Sequence, residues 1–383
     1  MKIVHMCLAN YYTDNFGYQE NMLPMQNKMD GHEVTIIAST ETYVNNKELG
    51  YVNPGEYQNE HDIKVIRIPY RRIFPHKIMR KIRAYPNVYK ILNSEKPDVI
   101  LFHGSQSYDL LNVVKYKNDN PRVKLYVDNH ADRGNSAKGF ISKNVLHKFY
   151  YKKILQKCLP YIDKIFYVTY ERKLFLEDIY DVNEEKMEFY PLGGTVVERE
   201  ERLQYRNQKR DELRLTEEDI VLVHAGKMNA NKKTLDIVNS FSKISDKNLK
   251  LILIGSITDN VKKKIMPFLK KDKRIVYLGW KPADELNKYF CASDLYVQPG
   301  SHTVLMEQAT CCSLPVIVAN LKSYEYLLQN SKHAWIISNS KEMIEIFENV
   351  GKNPSVLEQK TEHAYEFAKE VLDYKKLAAR LER

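Results

Sequence analysis

No run in the 383 residues approaches the roughly 20 apolar positions that a membrane span needs, which excludes a transmembrane helix. The opening residues, Met1-Lys-Ile-Val-His-Met-Cys-Leu, read as a strand and are too short for the apolar region of a signal peptide. The expectation is a cytoplasmic protein, attached to a membrane, if at all, from the inner face. Cysteine is scarce. Cys7, Cys158, Cys291, Cys311 and Cys312 show no CxxC or Cys/His spacing, which leaves buried thiols in a reducing compartment rather than a zinc or redox motif. No short repeat and no low-complexity tract occurs. No cluster of carboxylates suggests a metal site, so no metal is expected. The first strand is also not followed by G-x-G-x-x-G. Its loop, Ala9 to Glu20, holds one glycine, Gly17, and many side chains, so a pyrophosphate cannot approach the backbone as it does in a nicotinamide-binding turn. That counts against a dehydrogenase.

What is present describes an ordinary globular chain, 43% hydrophobic and 28% charged. Its length allows two domains, because single cores stop growing near about 250–300 residues. The balance of 59 basic against 49 acidic residues, a net +10, favours anionic partners, among which nucleic acid, a membrane surface and a sugar nucleotide all fit.

Short apolar runs alternate with helical patterns in both halves. In the first they are Ile3–Cys7, Glu33–Ile37, Ile63–Ile68, Val99–Phe102, Lys124–Val127 and Lys164–Val168, with helices such as Met79–Asn93 and Asn144–Leu155 between them. In the second they are Ile220–His224, Lys250–Ile254, Ile275–Leu278, Leu295–Val297 and Val316–Val318. Parallel strands joined by right-handed crossovers follow, hence an α/β protein of two doubly wound sheets. Pro191-Leu-Gly193-Gly194-Thr195 interrupts the rhythm, and the charged stretch Val197 to Arg214 follows it. The boundary is placed there: residues 1–195 and 196–365.

The stretch from His224 to Val318 carries the chemistry. A buried strand ends at Gly226; Lys227 follows at once and Lys232 lies near the next helix start. Farther on, Asp294-Leu-Tyr-Val-Gln-Pro-Gly300-Ser301-His302-Thr303 is a strand entering a tight turn, and the next helix brings Glu307 and Gln308. Ligands bind at the carboxyl ends of strands in open α/β sheets, and helix N-termini there offer N–H groups to phosphate. Two lysines and a carboxylate at such ends point to a nucleoside-diphosphate site.

The chain resembles the GT-B glycosyltransferases of the family-4 type over nearly its whole length. Gly226-Lys227-Met-Asn-Ala-Asn-Lys232 matches the spacing of the G-[RK]-x4-K motif. Ile252-Leu-Ile-Gly255 is similar to the next strand, and Val276-Tyr-Leu-Gly279-Trp280 to the segment that meets the nucleobase. Ala292 to Pro299 resembles the strand before the E-x7-E motif, and Leu314-Pro315-Val-Ile-Val the strand after it. In the first domain, Gly31-His-Glu-Val-Thr-Ile-Ile and Val127-Asp-Asn-His130 are similar to the family's, the latter ending in the histidine beside the transferred sugar. The resemblance implies two Rossmann-like domains facing a cleft, with a last helix, about 366–383, packed back on the first. It implies a UDP- or GDP-sugar donor, no permanently bound cofactor, and a glycan or lipid-linked acceptor of surface polysaccharide or glycoconjugate synthesis. The family mostly retains anomeric configuration. Catalytic roles fall to Lys227, Lys232 and His130. Donor contacts fall to Gly226, Gly279, Trp280, Gly300, Ser301, His302, Thr303 and Glu307 or Gln308, and acceptor contacts to Asn15, Gly17, Tyr18 and His103. One departure is plain: the family's first glutamate would fall at Pro299 or Gly300. Anchoring on Pro315 puts Gln308 in the second glutamate's place. Glu307 is preferred here because a charged acceptor holds a ribose diol more strongly.

Two segments lack acids and gather bases: Arg71 to Lys90, with Ile73, Phe74, Ile78 and Met79 interleaved, and Asp132 to Asp163 between its ends. Basic amphipathic segments predict an anionic membrane surface as partner. Neither sits on a nucleic-acid module, so no nucleic acid is expected. Two alternatives remain: a GT-B sugar-nucleotide epimerase, which needs a carboxylate acid/base pair that the sequence does not single out, and a non-catalytic nucleotide-sugar-binding protein, suggested by the missing glutamate.

Overall fold

A computed structural model describes residues 1–44, 48–327 and 332–383. The chain forms two compact units, Met1–Pro191 together with Leu377–Arg383, and Leu192–Lys376.

In the first unit the strands are β1 (Lys2–Cys7), β2 (Glu33–Ser39), β3 (Glu41–Val44), β4 (Glu48–Tyr51), β5 (Gly55–Gln58), β6 (Lys64–Ile68), β7 (Val99–Phe102), β8 (Lys124–Asn129), β9 (Lys164–Tyr167) and β10 (Met187–Phe189). Eight of them make one sheet in the order β10-β9-β8-β7-β1-β2-β6-β5, parallel except for β5 against β6, while β3 and β4 form a separate hairpin. The strands of the middle are apolar on both faces because helices cover both, which is why they read as continuous runs rather than alternating ones. In the second unit β11 (Ile220–Ala225), β12 (Leu249–Ile254), β13 (Ile275–Gly279), β14 (Leu295–Gln298), β15 (Val316–Ala319) and β16 (Ala334–Ile337) form an all-parallel sheet in the order β13-β12-β11-β14-β15-β16.

Each order reverses once, at β1 between β7 and β2, and at β11 between β12 and β14. Such switch points open a crevice at the strands' carboxyl ends. In the second unit the crevice lies beside Gly226–Lys232 and Pro299–Thr303. In the first it lies beside Leu8–Glu20 and His103–Gln106, with His130 at the end of β8.

The differences from expectation have local causes. The single helix expected over Met79–Asn93 is two, His76–Ile82 and Val88–Glu95, because Arg83 (φ 53°) and Asn87 (φ 59°) sit in the left-handed region on either side of Pro86. Asn144–Leu155 is a π-helix, Ile141–Tyr151, continued by the α-helix Lys152–Cys158. The charged stretch after Val197 is no linker. Arg199–Glu212 is a helix whose Lys209 and Arg210 are buried, Lys209 on Glu212 and Glu285 and Arg210 near Asp294. The units divide at Pro191/Leu192, and the return comes at Leu377 rather than near 366. All five cysteines are free and buried. No helix among the described residues is long and apolar enough to cross a membrane.

Candidate functional site

In the second unit β11 delivers its chain to Gly226, whose φ of 120° turns it away from the sheet. Lys227 emerges exposed, Met228 plugs the core, and Asn229 caps the turn Ala230–Lys232 by accepting from the Asn231 N–H. The neighbouring loop at Gly255 approaches so closely that a Cβ there would lie 2.0 Å from the Gly226 carbonyl oxygen. From the other side comes the turn after β14. A Cβ on Gly300 would lie 2.3 Å from the Asn231 oxygen and 2.7 Å from the Lys232 backbone, so only glycine lets the two loops meet. Ser301 N–H then donates to the Asn231 carbonyl (3.0 Å).

Lys232 closes this junction. Its ammonium donates to the carbonyls of Ser301 (2.9 Å) and His302 (2.8 Å), and burial pulls its pKa down to about 8. Lys232 is thus brought to the turn Gly300–Thr303, and Thr303 caps the helix Val304–Cys311 that follows. Behind them His224 is buried between the Val297 carbonyl (2.7 Å) and Thr234 Oγ1 (3.0 Å), its pKa lowered to about 4 by burial. It locks β11 to β14 as a neutral ring.

The carboxylate of Glu307 does not face solvent. It is fully buried, accepting from Gly193 N–H (2.6 Å) and Tyr326 O–H (3.1 Å), with His302 Nε2 at 3.2 Å. Glu307 therefore anchors the interdomain segment and the turn, and its preference over Gln308 as the ribose group has to be corrected. Gln308 is only partly buried. Its amide pairs with both backbone groups of Thr195 (3.1 Å each) and its Nε2 also reaches Cys312 Sγ (3.8 Å), which leaves a lone pair on Oε1. At the end of β13, Gly279 takes φ 73° and Trp280 stands 68% exposed, an open aromatic face beside the Gly255 loop, whose N–H bonds the Gly279 carbonyl.

In the first unit a cavity of about 880 Å³ opens at the switch point. His130, Glu20, Tyr18 and Arg172 line it, together with Lys81 and Arg83. Beneath it runs a buried chain of polar groups. Asp128 accepts from His103 Nδ1 (2.6 Å) and Gly104 N–H (2.6 Å), and His130 Nε2 lies 3.3 Å away. His5 comes next, its Nδ1 3.1 Å from His103 Nε2 and its Nε2 3.0 Å from Asn27 Oδ1, an amide oxygen that accepts from the ring. Burial and the neighbouring His103 hold His5 neutral, at about 3. Burial alone would raise Asp128, but the His130 and His103 rings hold it well below the carboxylate range. Burial likewise opposes protonation of His130, and Asp128 outweighs it, so the His130 pKa is raised.

This arrangement corrects one acceptor residue. His103 is fully buried with both nitrogens engaged and presents nothing to the cavity. Asn15 and Gly17 are exposed but outside the cavity lining, and Tyr18 is in it. Glu20, His103 and His130 form the group among the described residues whose ligand atoms could gather a metal, within 4.8 Å of one another, though a metal would have to take His103 from His5 or Asp128. Sequence reasoning missed Lys81, Arg83 and Arg172. The first two lie in the basic segment Arg71 to Lys90, expected at an anionic membrane surface, and the signal for Arg172 is its place in the first turn of the helix after β9.

Residues 205–370 match the family model described as glycosyl transferases group 1. No curated protein matches the chain by sequence. Solved structures similar over the full length include HepE of Anabaena in complex with UDP (TM-score 0.68, 12% identity, 100% of this chain and 98% of that one). A glycosyltransferase of Rickettsia africae matches with TM-score 0.69 at 13% identity over 99% and 96%. Sucrose-phosphate synthase of Thermosynechococcus elongatus gives 0.66 at 12% over 100% and 97%. The matched residues lie within the second unit, and the two-unit fold is GT-B.

Proposed function

We propose that this glycosyltransferase moves a sugar from a UDP-sugar to a glycan or lipid-linked acceptor, with retention, in surface polysaccharide or glycoconjugate synthesis. The observation that carries the reading is Lys232, a half-buried ammonium fixed between the ends of β11 and β14. Breaking a sugar–phosphate bond builds negative charge on the departing diphosphate. Lys232 and Lys227 meet that charge already in place, which lowers the barrier without reorganisation. The turn Gly300–Thr303 and the N–H groups opening Val304–Cys311 receive the phosphates, Trp280 and Gly279 the base, and Gln308 the ribose. UDP is favoured over GDP because HepE was solved with UDP, with UDP and glucose, and with UDP-glucose.

The first unit takes the acceptor, and His130 contacts the transferred sugar. Its protonated form, stabilised by Asp128, donates to a sugar hydroxyl. The two basic segments leave Ile73, Phe74, Ile78, Phe140, Ile141, Val145 and Phe149 exposed among lysines and arginines, which supports attachment to an anionic membrane face. The test is UDP release from a panel of UDP-sugars offered with lipid-linked acceptors, with GDP-sugars as controls. Turnover that appears only with both UDP-sugar and acceptor is expected. Tight UDP-sugar binding without turnover for any acceptor would favour the non-catalytic reading.

A further inference from the structure

The acceptor cavity is lined by four cations, Arg80, Lys81, Arg83 and Arg172, against a single carboxylate, Glu20. Two of the four are neutralised: Arg80 by Glu41 (2.5 Å) and Arg172 by Asp132 (3.1 Å). Lys81 and Arg83 have no carboxylate partner among the described residues; Arg83 donates Nη1 to the Gln106 carbonyl (3.1 Å). Arg83 is also held in the left-handed region at φ 53°, an unusual conformation for a non-glycine residue. Uncompensated positive charge in a partly enclosed cavity is felt by its neighbours. His147, in the same lining, is lowered to about 4, by burial first and by Arg83 next.

The elements that carry these groups have a second face. The π-helix Ile141–Tyr151 lends Ser142, Leu146, His147 and Tyr151 to the cavity, while Ile141, Val145 and Phe149, spaced four apart, point to water; Phe140, just before it, is 81% exposed. Helix His76–Ile82 lends Arg80 and Lys81 and exposes Ile78, after the exposed pair Ile73 and Phe74. Tyr151 and Tyr150 hydroxyls bond the Lys81 and Ile82 carbonyls, so the two elements form one wall. An anion-seeking cavity thus has an apolar outer rim.

We infer that this cavity binds the phosphate of an amphiphilic acceptor, with Lys81 and Arg83 on the phosphate and the acyl or polyprenyl-like tail along the exposed apolar rim. This rests on the transferase reading and adds to it the chemical class of acceptor. A neutral oligosaccharide would leave both cations unpaired, whereas a phosphate offers several strong acceptors to an arginine fork and an ammonium at once.

The experiment uses the full chain and four probes: decyl phosphate below its micellar concentration, decanol, inorganic phosphate, and UDP, each titrated by calorimetry. The wild type should bind decyl phosphate at least tenfold more tightly than decanol or inorganic phosphate. Arg83→Gln and Lys81→Gln should each weaken decyl phosphate about tenfold, or about 1.4 kcal/mol, and change UDP affinity less than twofold. Lys81 is exposed, so its variant keeps the test valid should Arg83→Gln fold poorly. UDP binding without decyl phosphate binding overturns this inference and leaves the transferase reading standing. Inorganic phosphate binding as tightly as decyl phosphate also overturns it, by showing a free-anion site, as does a double variant that binds decyl phosphate normally. Loss of UDP binding in the wild type would instead strike the transferase reading itself.

Discussion

At the scale of single residues Lys232 has two jobs that can be separated by pH. In the proposed reaction its charge meets the leaving diphosphate, while its N–H groups tie the turn after β14 to the turn after β11. Lys232→Ala should lower kcat by about 10² or more, and Lys227→Ala less, since Lys227 is exposed. Near-normal UDP release by the Lys232 variant would end the assignment. Burial has lowered the Lys232 pKa to about 8, so kcat/KM, which reports the free enzyme, should fall as pH rises through about 8. The stability contribution runs the other way. A lysine whose folded pKa is depressed binds fewer protons folded than unfolded, so its contribution to stability rises with pH between 8 and the ordinary lysine value. Activity falling while the melting temperature holds or rises over that window is the signature; a joint fall would mean general unfolding. The motif spacing of Lys227 and Lys232 was legible in the sequence because both lie within one loop. The state of Glu307 was not, because its donors come from Gly193 and Tyr326, far away in the chain. Glu307→Gln should lower the melting temperature and leave donor KM nearly unchanged, since a buried anion loses its three donors' charge-assisted bonds. Gln308→Ala should raise donor KM more than it lowers kcat. The reverse pattern would restore Glu307 to the ribose.

At the scale of elements, the strands were readable as short apolar runs because parallel strands covered on both faces need nothing else. Helix breaks were less so. The left-handed residues Arg83 and Asn87 carry no glycine to announce them, and the π-helix Ile141–Tyr151 has the apolar content of an ordinary amphipathic helix. Ile141, Val145 and Phe149 are spaced along one face, and only the structure shows that this face is left uncovered. The loops proposed to hold the donor depend on close backbone approach, and at Gly300 the turn after β14 meets the Lys232 turn. A methyl group there meets backbone on two residues of the opposite loop rather than a side chain that could swing away. Gly300→Ala should therefore displace the Lys232 turn, cutting UDP affinity by tenfold or more and destabilising the second unit by about 1–3 kcal/mol. Unchanged UDP binding by calorimetry would show that the turn can open without consequence for the donor.

For the whole molecule the repeated strand–helix rhythm announced two α/β units, and Pro191-Leu-Gly-Gly-Thr marked the passage between them. The return was harder to place, because apolar spacing runs on from Phe367 to Leu381 as though one helix carried it. The structure divides that stretch. Helix Ser355–Phe367 runs into a π-turn, Ala368–Leu372, whose buried residues pack in the second unit's core, and Asp373 then takes an extended conformation that ends it. From Leu377 the chain belongs to the first unit. Tyr190 O–H donates to the Leu377 carbonyl (2.7 Å), Arg380 pairs with Glu188, His32 meets Glu382 (3.0 Å), and Tyr126 O–H donates to the Arg383 carbonyl (2.9 Å). Leu377 and Leu381 are buried there. A chain stopped after Lys376 would lose both leucines, each contributing about 1.5–3 kcal/mol by burial, and would leave Tyr190 in the core without its acceptor. The residues proposed to hold the donor, Gly226 to Gln308, all lie within Leu192–Lys376, so the two effects should part company. The truncated protein is expected to show an earlier melting transition and faster amide exchange in β8, β9 and β10, while UDP affinity stays within about twofold of wild type. Equal loss of protection in β11, β12 and β14 would show that the last residues support both units, and that the division at Lys376 is not an energetic one.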